Sequence, residues 1–168
     1  MSHLKESVNG ILFSRNRKSV LLVKRRDVPV WVLPGGGIHS NETPEMATRR
    51  EFEEETGLQV TILRKIAEYT PQCRLARYTH FYECIAIGGT LQTGDETKEV
   101  RFFPLAALPK KLPPPYLDWI VDAQGPHKEI LKKEITGVTY LALMQYFFSY
   151  PLLVTRFLLT KIGITFNR

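Results

Sequence analysis

The sequence predicts an α/β domain followed by an apolar helical extension at the C-terminal end, on three observations. Runs rich in β-branched and aromatic residues recur through the first part of the chain, one helix is marked at both ends, and residues 135–155 carry no charge. The length of 168 residues suits one compact core, with 1–127 as the folded domain and 128–168 as the extension. With 43% hydrophobic and 24% charged residues, the composition excludes collagen-like, low-complexity and wholly disordered classes.

Two β-favouring runs, 8–13 and 20–24, flank a polar, basic turn and read as a hairpin. A third extended piece, 31–33, ends at Pro34 and leads into a bare loop of Gly35, Gly36 and Gly37, where the backbone can approach a ligand closely. Thr43 suits an N-cap, Pro44 the first helical position, and Gly57 a left-handed residue past the end, so the predicted helix spans 44–56. The runs 59–67, 77–87 and 99–103 predict strands, separated by Gly88-Gly89 and the polar stretch 93–98. Pro104, Pro109 and three prolines at 113–115 make a stiff connector, after which 116–123 and 128–135 read as short helices.

Formal net charge is +6, of which 128–168 supplies +4 through Lys128, Lys132, Lys133, Arg156, Lys161 and Arg168 against Glu129 and Glu134. Basicity is therefore local to the tail and does not describe a nucleic-acid-binding surface over the whole chain. Cys73 and Cys84 lack a neighbouring Cys/His cluster, so packing roles are expected and a zinc site is not. Residues 1–8 lack an apolar leader core, which places the expected location in the cytoplasm. His3, His80 and His127 show no partnered spacing.

The uncharged stretch is long enough by arithmetic to cross a hydrocarbon core of about 30 Å. Gly137 and Pro151 interrupt it, however, and Tyr140, Leu141, Leu143, Met144, Phe147, Phe148 and Leu152 include i,i+3 and i,i+4 pairs of amphipathic character. Leu153, Phe157, Leu158 and Ile164 continue it. Three readings stay open: packing on the domain or in a homodimer through 135–164, a peripheral membrane contact aided by the flanking basic residues, and a transmembrane span.

The helix itself breaks local rules. Glu51, Glu54 and Glu55 share one face through i,i+3 and i,i+4 spacing, so like charges converge, and they do so in the last turn, where the helix dipole disfavours carboxylates. Such a conflict points to a functional site. Hard divalent cations take oxygen ligands and are commonly held by one or two carboxylates together with substrate phosphates, which fits acids facing a glycine loop.

Residues 36–58 read GGIHSNETPEMATRREFEEETGL. This segment resembles the Nudix box of the MutT-like Nudix hydrolases: Gly36, five residues, Glu42, seven residues, Arg50-Glu51, Phe52, Glu53, Glu54-Glu55, Thr56, Gly57 and Leu58. The preceding WVLPGG, from Trp31 to Gly36, resembles the family's usual approach to the box, and the strand pattern extends the likeness over about residues 6–123. The resemblance implies an α/β/α sandwich with a mixed β-sheet and Mg²⁺-dependent hydrolysis of a nucleoside diphosphate linked to another moiety, with Mn²⁺ as a substitute cation. By position it implies Glu51, Glu54 and Glu55 as metal ligands with the Gly35 carbonyl. Arg50 would orient the carboxylates, and Glu42 would hold the loop in shape. A further carboxylate on a later loop is expected before the strand 99–103, with Glu96 chosen over Asp95 and Glu99.

In the expected reaction, water attacks phosphorus in line, and Glu54 or Glu96 takes its proton. Arg25, Arg26, Trp31, Gly36 and Gly37 are the candidate substrate-binding residues, the arginines toward phosphates and the tryptophan toward a base, with His39 beside them. The small-molecule substrate class covers nucleoside triphosphates, nucleotide sugars and dinucleotides. No SQPWP-like array follows, and Tyr69, Pro71 and Tyr78 do not match subfamily markers. An RNA 5′ end is retained as an enzymatic variant, and a non-catalytic nucleotide sensor is the different-class alternative.

Overall fold

In the computed structural model, residues 6–110, 112–126 and 128–161 are described. His3, His127, Ile164 and Arg168 lie outside them, as do the side chains of Leu143, Phe147, Leu153 and Lys161. The chain runs β1 (Glu6–Leu12), β2 (Ser19–Arg25), β3 (Trp31–Val32), β4 (Gly35–Gly37), α1 (Pro44–Thr56), β5 (Leu58–Thr70), β6 (Tyr78–Gly89), β7 (Thr97–Pro104), a 3-10 turn (Leu105–Ala107), α2 (Tyr116–Gln124), β8 (Leu131–Glu134), α3 (Tyr140–Ser149) and α4 (Pro151–Lys161).

Among the described residues the strands form two sheets, of order β4-β1-β6-β5-β8 and β3-β2-β7. β1 runs parallel to β6, and β8 parallel to β5, while the other pairings are antiparallel, so the larger sheet is mixed. Helices cover separate cores. Ala47 and Phe52 of α1 pack with Val8, Leu12, Leu21, Val60, Tyr82 and Cys84. Trp119, Ile120 and Ala123 of α2 pack with Ile11, Leu22, Phe81, Phe103 and others. Full burial of a side chain such as Phe52 contributes roughly 1.5–3 kcal/mol. This layering agrees with the expected α/β/α arrangement.

The helix caps form as the sequence predicts. Thr43 accepts the Met46 amide at 3.2 Å, and Gly57 adopts a left-handed φ of 70° with its N–H on the Glu53 carbonyl. Cys84 is buried in the α1 core, and Cys73 donates to the Val138 carbonyl at 3.3 Å; both are free thiols.

Four expectations are corrected. β1 and β2 touch through a single bridge, Phe13 with Val20, and then diverge into different sheets, because each finds longer partners elsewhere. Gly35–Gly37 is not a bare loop but a strand whose residues pair with Asn9, Val8 and Ser7 of β1. The segment 128–135 is not helical: Leu131–Glu134 extends the larger sheet along β5, and Ile135 is 2% exposed in the α2 core. The open edge of β5 supplies backbone partners that a short, charged helix would lack. Finally, 135–155 is no continuous span; α3 and α4 are separated at Pro151, and among the described residues no helix is long and apolar enough to cross a membrane.

Candidate active site

The site forms where β1, β4 and the last turns of α1 meet. Asn9, a buried polar side chain between Val8 and Ile11 of β1, donates from Nδ2 to the Leu33 and Pro34 carbonyls, both at 3.2 Å. The Gly10 amide also reaches the Pro34 carbonyl at 2.9 Å. These bonds fix the chain as it turns into Gly35. The sequence reading missed Asn9, although its polarity between Val8 and Ile11 was the available signal.

Arg50 is the centre of one half of the site. Its Nε donates to Glu42 Oε1 at 2.6 Å, its NH1 to Glu51 Oε1 at 2.8 Å and Glu54 Oε2 at 3.0 Å, and its NH2 to Glu42 Oε2 and the Gly37 carbonyl, both at 3.0 Å. One planar fork thus ties the loop to three acids, a geometry suited to guanidinium rather than ammonium. The Arg50 bond, aided by the His39 amide, holds the Glu42 carboxyl down at about 2. In return Glu42 first, and then Glu51 and Glu54, raise Arg50 above its ordinary value.

Glu55 makes the other half. Its carboxylate is 9% exposed and accepts the Gly35 amide at 2.9 Å. Burial pushes its carboxyl up to about 8; the Gly35 N–H and the charge of Arg25 oppose this, while Glu51 and Glu96 add to it. Burial likewise raises Glu51, against the pull of Arg50 and with the charges of Glu54 and Glu96 adding. Glu96 therefore lies within electrostatic reach of both. Its loop is seated against α1: Gly94 passes so near that a Cβ there would fall 1.8 Å from the Glu54 carbonyl oxygen, and the Glu96 carbonyl accepts the Arg26 amide at 3.0 Å.

The other expected residues divide. Gly36 faces Glu51 so directly that a Cβ would lie 2.4 Å from Glu51 Oε1, and the Gly37 carbonyl is bound by Arg50. Arg25 is held by Asp27, through Nε to Oδ1 at 2.8 Å and a second bond from NH2 to Oδ2, and this pairing raises Arg25 above its usual range. Burial works upward on Asp27, yet Arg25 keeps that carboxyl below its ordinary value. Arg26 has its Nε buried without a partner among the described residues. Trp31 does not offer an open face; it is 6% exposed, with its ring edge on Phe103 at 4.6 Å and Arg101 5.1 Å above it. It nevertheless borders a pocket of about 300 Å³ with Lys24, Pro29, Pro109 and Lys110. Lys24 is bonded there to Glu99 at 2.5 Å, so Glu99 is drawn to β2 and away from the role weighed for it. His39 and Asp95 join neither half through their side chains beyond the contact of His39 Nδ1 with Glu42 at 3.7 Å.

Tyr116, at the start of α2, was unassigned from sequence. Burial pushes its hydroxyl up to about 12, and both Arg25 and Glu55 act on it electrostatically, so the proline-rich connector delivers an aromatic side chain to the site.

Among the described residues no three acidic, histidine or cysteine side chains form a ready-made metal cage. The donor set still fits a hard divalent cation: it is all oxygen, Glu55 is buried with no ion-pair partner among the described residues, and Glu51 lies against a glycine with no side chain between. Added positive charge would answer the mutual repulsion of Glu51, Glu55 and Glu96.

The NUDIX domain profile matches residues 3–122. An ADP-ribose pyrophosphatase of Methanocaldococcus jannaschii is 37% identical over 115 residues, covering 64% of this chain and 66% of that one. A putative 8-oxo-dGTP diphosphatase of Bacillus subtilis is 33% identical over 99 residues, covering 59% and 66%. The matched stretches thus span just under two thirds of these curated relatives. A NUDIX hydrolase structure from Nitrosomonas europaea superposes with a TM-score of 0.68 at 21% identity, covering 80% of each chain, which speaks for the fold. Because the profile covers well over half of the 168 residues and its box is complete from Gly36 to Leu58, the chain belongs to the NUDIX domain family, the Nudix hydrolases.

Proposed function

We propose that this protein is a Mg²⁺-dependent pyrophosphohydrolase that cleaves the phosphoanhydride of a nucleoside diphosphate joined to a second moiety. The observation that carries this reading is Glu55: a buried carboxylate beside Glu51 and Glu96, answered by one backbone N–H and no ion-pair partner among the described residues, on a helix that meets a side-chain-free strand. Structural acids are paired, as Glu83 is with Arg17 and Arg64, whereas this one suits a ligand.

Glu51, Glu54, Glu55 and the Gly35 carbonyl are the proposed cation ligands. A bound divalent cation supplies charge neutralisation at the anhydride and acidifies water. Arg50 orients Glu51 and Glu54 and ties them to the loop through Glu42 and Gly37. Glu54, with its side chain 58% exposed, is open to solvent and is the first choice to accept the proton of the attacking water; Glu96 is the second. Arg25, kept in place by Asp27, and Arg26 provide positive charge for the substrate's phosphates. The pocket bordered by Lys24, Pro29, Trp31, Pro109 and Lys110 is the proposed seat of the other moiety, with Lys110 as its second cation beside the Lys24–Glu99 pair. The relatives named above for ADP-ribose and 8-oxo-dGTP, and a UDP-X diphosphatase of similar fold, support nucleotide derivatives as the class.

The test is a panel of ADP-ribose, UDP-sugars, 8-oxo-dGTP, dinucleotides and 5′-triphosphorylated RNA, assayed with Mg²⁺ or Mn²⁺ for nucleotide and phosphate release. Mg²⁺-dependent cleavage of a small-molecule member, abolished in Glu54→Gln, is the expected result. Tight nucleotide binding with no cleavage of any member would instead make the protein a sensor.

A further inference from the structure

A phosphate-bearing substrate that approaches Glu51, Glu54, Glu55 and Glu96 needs cations around it. Arg50 is engaged by Glu42, Glu51 and Glu54, and Arg25 by Asp27. Arg77, which the functional reading does not use, is exposed and has no ion pair among the described residues.

The strands place it. Val8 of β1 and Tyr82 of β6 pack in the core under α1, whereas Ile11 and Phe81 pack in the core under α2. Strand alternation therefore carries Ser7 and Asn9 onto the face of Ile11, and Thr79 with Arg77, just before β6, onto the face of Phe81. Gly36 faces Glu51 of α1, so Gly37, paired with Ser7, turns to that opposite face. A Cβ at Gly37 would lie 2.8 Å from Arg77 NH1, so the guanidinium rests against bare backbone. Its own backbone is fixed: Thr79, 3% exposed, donates Oγ1 to the Arg77 carbonyl at 2.9 Å, and the Ser7 hydroxyl lies 3.0 Å from Thr79 Oγ1. Earlier in the same loop, Gln72 donates to Glu134 at 2.9 Å and Cys73 to the Val138 carbonyl at 3.3 Å, so the extension beyond α2 holds the loop as well.

Gly37 stands two residues, about 6.6 Å of strand, from Gly35, whose amide is bound by Glu55. No side chain of β4 intervenes between them, since Gly36 is the residue in the middle. An unpaired guanidinium at that separation matches a phosphate oxygen of a diphosphate laid along the glycine strand.

We propose that Arg77 is a further substrate-binding residue, pairing with a phosphate on the face of β4 opposite Glu51. The choice of a phosphate rests on the pyrophosphohydrolase reading, so binding is measured apart from turnover. Inorganic pyrophosphate is titrated calorimetrically into the full chain, with Mg²⁺ and in EDTA. Arg77→Ala should weaken its binding by about tenfold or more, Arg77→Lys by less, and Arg74→Ala, which removes another arginine of the same loop, should leave it unchanged. For the member of the substrate panel cleaved fastest, Arg77→Ala should raise KM about tenfold with kcat within about threefold, the split expected of a binding contact. No pyrophosphate binding by the wild type in either condition overturns the proposal, as does unaltered affinity or KM in Arg77→Ala or an equal loss in Arg74→Ala. Arg77-dependent binding with no cleavage of any panel member would keep the subsite and remove the hydrolytic reading.

Discussion

Arg50 and Glu55 lie close together on α1, yet their surroundings are opposite in charge balance. Around Arg50, three carboxylates are answered by the protein's own guanidinium, and Glu42 is held down at about 2. Around Glu55, burial pushes the carboxyl up to about 8, and the charges of Glu51 and Glu96 add to it. Both regions come from one acidic helix, so the number of acids does not distinguish them. What distinguishes them is whether an arginine pairs with the acids: Arg50 does so at the joint between loop and helix, whereas Glu55 accepts a backbone N–H and has no ion-pair partner among the described residues.

The strongest test of that contrast is Glu54→Gln, which removes a charge shared by Arg50 and the proposed reaction space. Turnover should fall at least about a hundredfold with circular dichroism unchanged, and wild-type turnover would remove Glu54 from catalysis. Next is Arg50→Lys, which keeps the charge but cannot bind Glu42, Glu51, Glu54 and the Gly37 carbonyl together. Activity should drop about 10–100-fold, as for other residues that orient metal ligands, and an unimpaired lysine variant would reduce the network to simple charge.

On the Glu55 side, Mg²⁺ at about a hundred times its dissociation constant should raise the melting temperature by roughly 5–10 °C. Glu55→Gln should lose most of that rise, and an undiminished shift would place the cation elsewhere.

The smallest effect concerns pH in the metal-free protein. Glu55 keeps its proton up to about 8 when folded, whereas the unfolded carboxyl releases it near 4.5, so the folded state binds more protons between these values. Its contribution to stability is therefore full below about 4.5 and disappears as pH rises through 8. Glu42 behaves oppositely: its contribution is present above 4.5 and is lost as pH falls through about 2. Denaturant titrations should show Glu55→Gln flattening the slope between about 4.5 and 8 and Glu42→Gln the one between about 2 and 4.5; the reverse assignment would contradict this contrast.

Much of the site was legible before the fold. Thr43, Pro44 and Gly57 bounded α1 correctly, and the spacing of Arg50, Glu51, Glu54 and Glu55 located the acidic face, because caps and helical periodicity act within a few residues. Glu96 could be named only as one acid among three in a turn, and its approach to Glu51 and Glu55 depends on Gly94 passing over the end of α1. Asp27 and Tyr116 carried no local sign of membership, since one reaches the site from a loop and the other from a helix, and Asn9 showed only its polarity between Val8 and Ile11. Trp31 was assigned to a ligand, and the fold places it largely in the core against Phe103.

By itself the sequence determined the family, the acidic helix and the glycine segment facing it, all features written within one contiguous stretch from Trp31 to Leu58. Only the tertiary structure decided that Gly35–Gly37 pairs with β1, that β1 and β2 part into two sheets, and that Leu131–Glu134 completes the larger one. A helix satisfies its backbone from its own neighbours, so its limits are local. A strand must find partners far along the chain, and which edge is open to it is settled only when the whole domain assembles.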